Sequence, residues 1–99
     1  MLNISDKVEH PFTVEKDTDL TGMITHNTTV KPGVLFIVSG MITADLIIEP
    51  GATVLVPGMV NGRIHNSGKL TISGIVDSVI DLPGSTTTIE PHAIVRHQN

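Results

Sequence analysis

The chain has 99 residues, enough for one domain and one modest core. Apolar residues make up 39%, aromatics only 2%, and Cys is absent, which excludes an aromatic-packed globule, a disulfide framework and a thiolate metal site. The net charge of -4, with acidic residues gathered early at Asp6, Glu9, Glu15, Asp17 and Asp19, excludes the basic face expected of a general nucleic-acid binder.

The opening MLNISDKVEH has no basic stretch followed by an apolar run, so no secretory leader is expected. No apolar run reaches membrane-spanning length, and a cytoplasmic location is expected. Residues 1–20 do not keep the period that follows. Val8, Phe12, Val14 and Leu20 could form an irregular first coil or a cap.

From residue 21 the chain repeats itself. TGMITHN (21–27), SGMITAD (39–45), PGMVNG (57–62) and SGIVDS (73–78) each place Gly before an apolar and then a β-branched residue. Their glycines are Gly22, Gly40, Gly58 and Gly74. A second mark follows each one: KPGV (31–34), EPGA (49–52), HNSG (65–68) and LPGS (82–85). Two marks recurring in phase define a repeat architecture. A finer six-residue period runs through Ile24, Val30, Phe36, Ile42, Ile48, Val54 and Val60, and resumes at Ile64, Leu70, Val76 and Leu82. Helical apolar patterns recur near 3.6 residues, so this period predicts strands. Three strands and three corners per coil give an all-β, single-stranded triangular β-solenoid (β-helix) over 21–95, with about four coils of 16–18 residues. Residues 96–99 read as a tail.

Side chains alternate in and out along a strand. Face A should stack Ile24, Ile42, Val60 and Val76. Face B should stack Val30, Ile48, Ile64 and Leu82. Face C should stack Phe36, Val54 and Leu70, with Val38, Val56 and Ile72 two residues on. Ile80 is expected inside. The coil over 57–72 is two residues short, and the A-to-B corner is the expected place of the loss. After Ser85 two registers remain open, with Thr87 and Ile89 inside or outside.

These Gly-apolar-β-branched phrases and this coil length resemble the bactofilin family, polymer-forming cytoskeletal proteins of bacteria, over roughly residues 20–95. The resemblance implies a right-handed triangular β-helix that polymerises end to end without nucleotide. The left-handed hexapeptide solenoid of acyltransferases also uses 18-residue coils. Its usual small or acidic residue is replaced here by Thr25, Lys31, Ile37, Thr43, Glu49 and Leu55.

The alternation places Met23, Met41, Met59 and Ile75 outside face A as an exposed apolar ladder, a common mark of an interaction surface. Residues 1–15 folded back over it would be the plain alternative. Leu35, Ile37, Leu55 and Ile47 also point outward. Solenoid ends expose unpaired backbone groups, which suggests end contacts through Phe12, Val14 and Leu20 at one end and Ile89, Ile94 and Val95 at the other. His10, His26, His65, His92 and His97 lie at no ligand spacing, so no metal and no cofactor is expected. Ser67, Ser73, Ser78 and Ser85 have no evident His partner, and no Lys follows the Pro-Gly turns at phosphate-loop spacing. The chain therefore reads as non-enzymatic. Its partner is expected to be itself, as an oligomer or polymer assembling through its end coils. The alternative is an immunity or inhibitor protein that neutralises a bacterial toxin, with the Met ladder or the Asp77/Asp81 region as contact. An acyltransferase fragment is the third reading.

Overall fold

The computed structural model describes residues 1–98. It is all-β, and its 15 strands are β1 (Leu2–Ile4), β2 (Lys7–Val8), β3 (Phe12–Val14), β4 (Thr18–Leu20), β5 (Met23–Ile24), β6 (Thr28–Val30), β7 (Leu35–Val38), β8 (Met41–Ile42), β9 (Leu46–Ile48), β10 (Thr53–Val56), β11 (Met59–Asn66), β12 (Lys69–Ile72), β13 (Ile75–Asp81), β14 (Thr86–Ile89) and β15 (Ile94–Gln98). Among the described residues the strand pairings are parallel, and each strand pairs with the strand one turn away. Face C is the sheet β1-β4-β7-β10-β12-β14. Faces A and B merge into one sheet, because β11 and β13 run on round the corner between them.

The solenoid has about six turns rather than about four. Residues 2–20 form the first coil and not a cap: β1 lies in register under β4, β2 under β5 and β3 under β6. At the other end, β15 stacks on β13, so residues 96–98 continue the last turn instead of forming a tail. We number the turns by their face A strands, from the first (β2) to the sixth (β15).

Face A holds the expected inward row and extends it: Val8, Ile24, Ile42, Val60, Val76 and Val95 stack in register. Face C does the same with Phe36, Val54 and Leu70. Beside them run Ile4–Leu20–Val38 and Val56–Ile72–Ile89. That register also settles residues 86–89, with Thr87 above Leu70 on the core row and Thr86 and Thr88 outside. No turn could bury its apolar side alone, and each neighbour supplies the missing wall. Most of the core is fully enclosed, from Leu20 to Val79, and each such aliphatic contributes about 1.5–3 kcal/mol by leaving water.

Face B departs from the expected stack. Ile64 pairs with Leu46, not Ile48, and Ile48 pairs with Asn66. The A-to-B corner of the 57–72 coil is therefore full length. Its two missing residues come out of the B-to-C corner, where Ser67-Gly68 replaces a longer turn and Lys69 falls opposite Thr53. The next turn loses a residue at its A-to-B corner, where the register shifts between Val60 and Arg63. That shift turns Val79 inward and puts Ile80 outside beside His65. Leu82 is 39% exposed at a corner and is not part of the core.

Two kinds of glycine make the corners. Gly33, Gly51 and Gly84 follow Pro and have φ of 78°, 87° and 84°, the pairing that suits a turn with Pro first and a left-handed residue second. Gly22, Gly40, Gly58 and Gly74 serve a different need. A β-carbon on any of them would lie 2.0–2.2 Å from a carbonyl oxygen of the turn below.

Candidate interaction surfaces

The outer row of face A is continuous: Lys7, Met23, Met41, Met59, Ile75 and Ile94 are successive partners. Stacking on each other leaves Met23, Met41, Met59 and Ile75 half-buried rather than fully exposed. Ile94 is 51% exposed. It belongs to this outer row, whereas its neighbour Val95 points inward. Because residues 2–20 are wound into the solenoid, they do not fold back over the row. Beside it runs a rim formed by the residue after each inward one: Glu9, Thr25, Thr43, Asn61, Asp77 and Arg96. The rim is neutral in its middle and charged at its ends. Lys7 Nζ lies 3.7 Å from Glu9 Oε1, and Arg96 Nη1 lies 3.7 Å from Asp77 Oδ1. Asn61 Nδ2 reaches Met41 Sδ at 3.8 Å, so the rim and the row share one surface.

Faces B and C carry shorter outward apolar stretches. Ile37 and Leu55 are neighbours on face C, and Ile47 is 37% exposed on face B. Polar residues interrupt both, at Asp19, Thr71, Thr29 and His65.

The N-terminal end presents the free edges of β1, β2 and β3. Leu2 is 49% exposed there, and Ile4, Val8 and Phe12 are partly buried against the core. Leu2, Phe12, Val14 and Thr18 line a shallow hollow at this end. Of the residues expected at the end, Phe12 and Val14 stand in its outermost turn. Leu20 does not, because Ile4 lies below it and it is fully buried.

The C-terminal end is mixed. On faces A and C, Val95 and Ile89 end their rows, and Ile89 is 39% exposed. On face B the apolar row Val14–Val30–Ile48 passes into Asn66 and then Asp81. Asn66 is fully buried. Its Nδ2 donates to Thr86 O at 3.1 Å and Thr87 Oγ1 at 3.0 Å, and its Oδ1 accepts from Gly68 N at 3.0 Å. The Thr87 hydroxyl donates onward to Asp81 Oδ1. A buried amide is tolerated when its groups are paired, and here both ends of the amide are. Sequence reasoning missed this cluster, because a six-residue aliphatic count steps over a polar residue in a buried row.

A second polar series holds the A-to-B corner. Asp45 N donates to Asn27 Oδ1 at 3.1 Å, and Arg63 N donates to Asp45 Oδ1 at 3.0 Å. Asp45 Oδ2 also lies 3.6 Å from His65 Nε2. These side chains clip the third turn to the second and the fourth to the third.

The shortened corner at Ser67-Gly68 leaves a notch of about 470 Å³ between the Pro50-Gly51 and Pro83-Gly84 turns. Its lining adds Thr53, Lys69 and Thr86 but no carboxylate or imidazole. It does not bring together an acid, a base and a nucleophile. Among the described residues no three His, Asp or Glu side chains converge on a point that could hold a metal ion, and no helix is long and apolar enough to cross a membrane. No protein-family model, curated protein or solved structure matches the chain.

Proposed function

We propose that this protein is a non-catalytic structural solenoid, bactofilin-like, that self-associates through its end turns. The observation that carries the reading is the pair of open strand edges, each lying over inward apolar rows. Unpaired strand edges are templates for further pairing. In a head-to-tail join Val95 would continue onto Val8 of the next copy and Ile89 onto Ile4, so faces A and C extend as dry rows. Face B, closed by Asn66 and Asp81, contributes polar contacts to the join. Family resemblance in the phrases at 21–27 and 39–45 supports the same reading.

The test is light scattering with negative-stain microscopy over a concentration series. Filaments, or mass that grows with concentration, are expected. Val95→Asp puts a charge into the joining row and is expected to abolish the growth while the isolated fold keeps its β-rich circular dichroism. A stable monomer at every concentration overturns the proposal. Retention in a tight complex with a basic toxin, without self-association, would favour the inhibitor reading.

A further inference from the structure

We infer that face A is a lateral contact for a second copy of this chain, packed face to face with the two solenoid axes antiparallel. The outer row offers five apolar side chains in succession, from Met23 to Ile94, with no other part of the described chain laid over them. Met in such a row adapts to an opposing surface.

The arrangement of charge selects both the partner and its direction. A two-fold axis in the interface, running along the strands, sets the first turn of one copy against the sixth turn of the other. The columns then stay in place: Met23 meets Ile75 of the partner, Met41 meets Met59, and Lys7 lies along Ile94 with its aliphatic stem while Asp77 faces Thr25. In the rim, Glu9 meets Arg96, and Lys7 lies diagonal to Asp77. Both ends of the contact therefore join opposite charges, while the neutral Thr25, Thr43 and Asn61 occupy the middle. An axis along the solenoid does worse. It would set Lys7 on Lys7, or else apolar residues on the rim, with Ile75 over Asp77. Like charges and unpaired polar groups at a contact select against a pairing. Strands of the two copies run in one direction in the favoured arrangement, which matches the aligned packing of two sheets about 10 Å apart.

Six strands at about 4.8 Å spacing, about 10 Å wide, give roughly 300 Å² per partner. That is well below the roughly 800 Å² per side of a stable complex, so the isolated pair is weak and concentration-dependent. Where copies also stack end to end, successive lateral contacts add along the stack, and pairing becomes firm by multivalency.

The experiment is sedimentation equilibrium on the full chain carrying Leu2→Asp, which blocks end stacking and isolates the lateral contact. A monomer–dimer equilibrium is expected. Met41→Lys, an outward change, should raise the dissociation constant by about tenfold or more, since it leaves a charge in the centre of the contact. Glu9→Arg and Arg96→Glu should each weaken the dimer by roughly threefold or more, and the double swap should restore it. A monomer at all concentrations overturns the inference. So does a dimer indifferent to Met41→Lys, or a double swap that fails to restore. Absence of filaments from the unmodified chain, with this dimer retained, would count against the end-turn proposal alone.

Discussion

At Gly58 the backbone passes so close to the turn below that a β-carbon would lie 2.2 Å from the Gly40 carbonyl oxygen. The contact is backbone to backbone, so no side chain can swing aside. Gly58→Ala is expected to cost at least about 3 kcal/mol, since an overpacked site must shift the chain itself. Gly33 sits in open space with φ of 78°, and Gly33→Ala should cost only about 1–2 kcal/mol of left-handed strain. Urea unfolding of the two variants tests the ranking, and equal losses would show that the corner row has slack. Ala93 fills the same row in the sixth turn because that corner is longer. There the amide of residue 93 bonds back to Glu90 O within its own turn. Asn66 is the other residue where one atom decides much. Asn66→Ala would take the side-chain partner from Gly68 N and Thr86 O, while the Thr87 hydroxyl keeps Asp81, and should cost about 1–3 kcal/mol per group left unpaired.

Strands and corners were legible in the sequence wherever the buried rows are aliphatic. Ile24, Ile42, Val60 and Val76 stand where the six-residue period puts them. The count failed at Ile64, because Asn66 occupies the position that Ile48 holds one turn earlier. An aliphatic reading then took Ile64 for the missing member and moved the two-residue loss to the wrong corner. The first turn was hidden for related reasons. Its strands lie 16 residues before their partners rather than 18, and it lacks both marks, with Asp6 in the glycine row and Glu15-Lys16 where Pro-Gly recurs. Asp6 is tolerated because no turn lies beneath it. The β-carbon direction at Gly22 points to the turn below, so the Asp6 side chain projects into the space that a stacked copy would enter. Asp6→Gly should therefore strengthen end-to-end association, seen as growth in scattered light at lower protein concentration. No change would mean that the join avoids this corner.

Over the whole molecule, nearly every stabilising contact joins one turn to the next, which makes the fold close to a one-dimensional stack. Interior turns have two neighbours and end turns have one. Local opening should therefore be easiest at β1–β3 and at β14–β15 and hardest near β7–β11, where the rows are fully enclosed. Amide hydrogen exchange on dilute protein should show that gradient, with the slowest amides in the middle turns. Assembly gives the gradient a second use. A copy stacked on an end supplies the missing neighbour, and free N–H groups on the end strands gain acceptors. Concentrating the protein should then slow exchange at Leu2–Ile4 and Thr86–Ile89 toward interior rates. A lateral contact through face A would leave those main-chain groups open. Exchange that stays fast at both ends while mass grows would place the association on the outer row and not on the strand edges. Slowing at the ends without a change at Met41 or Met59 would reverse that assignment.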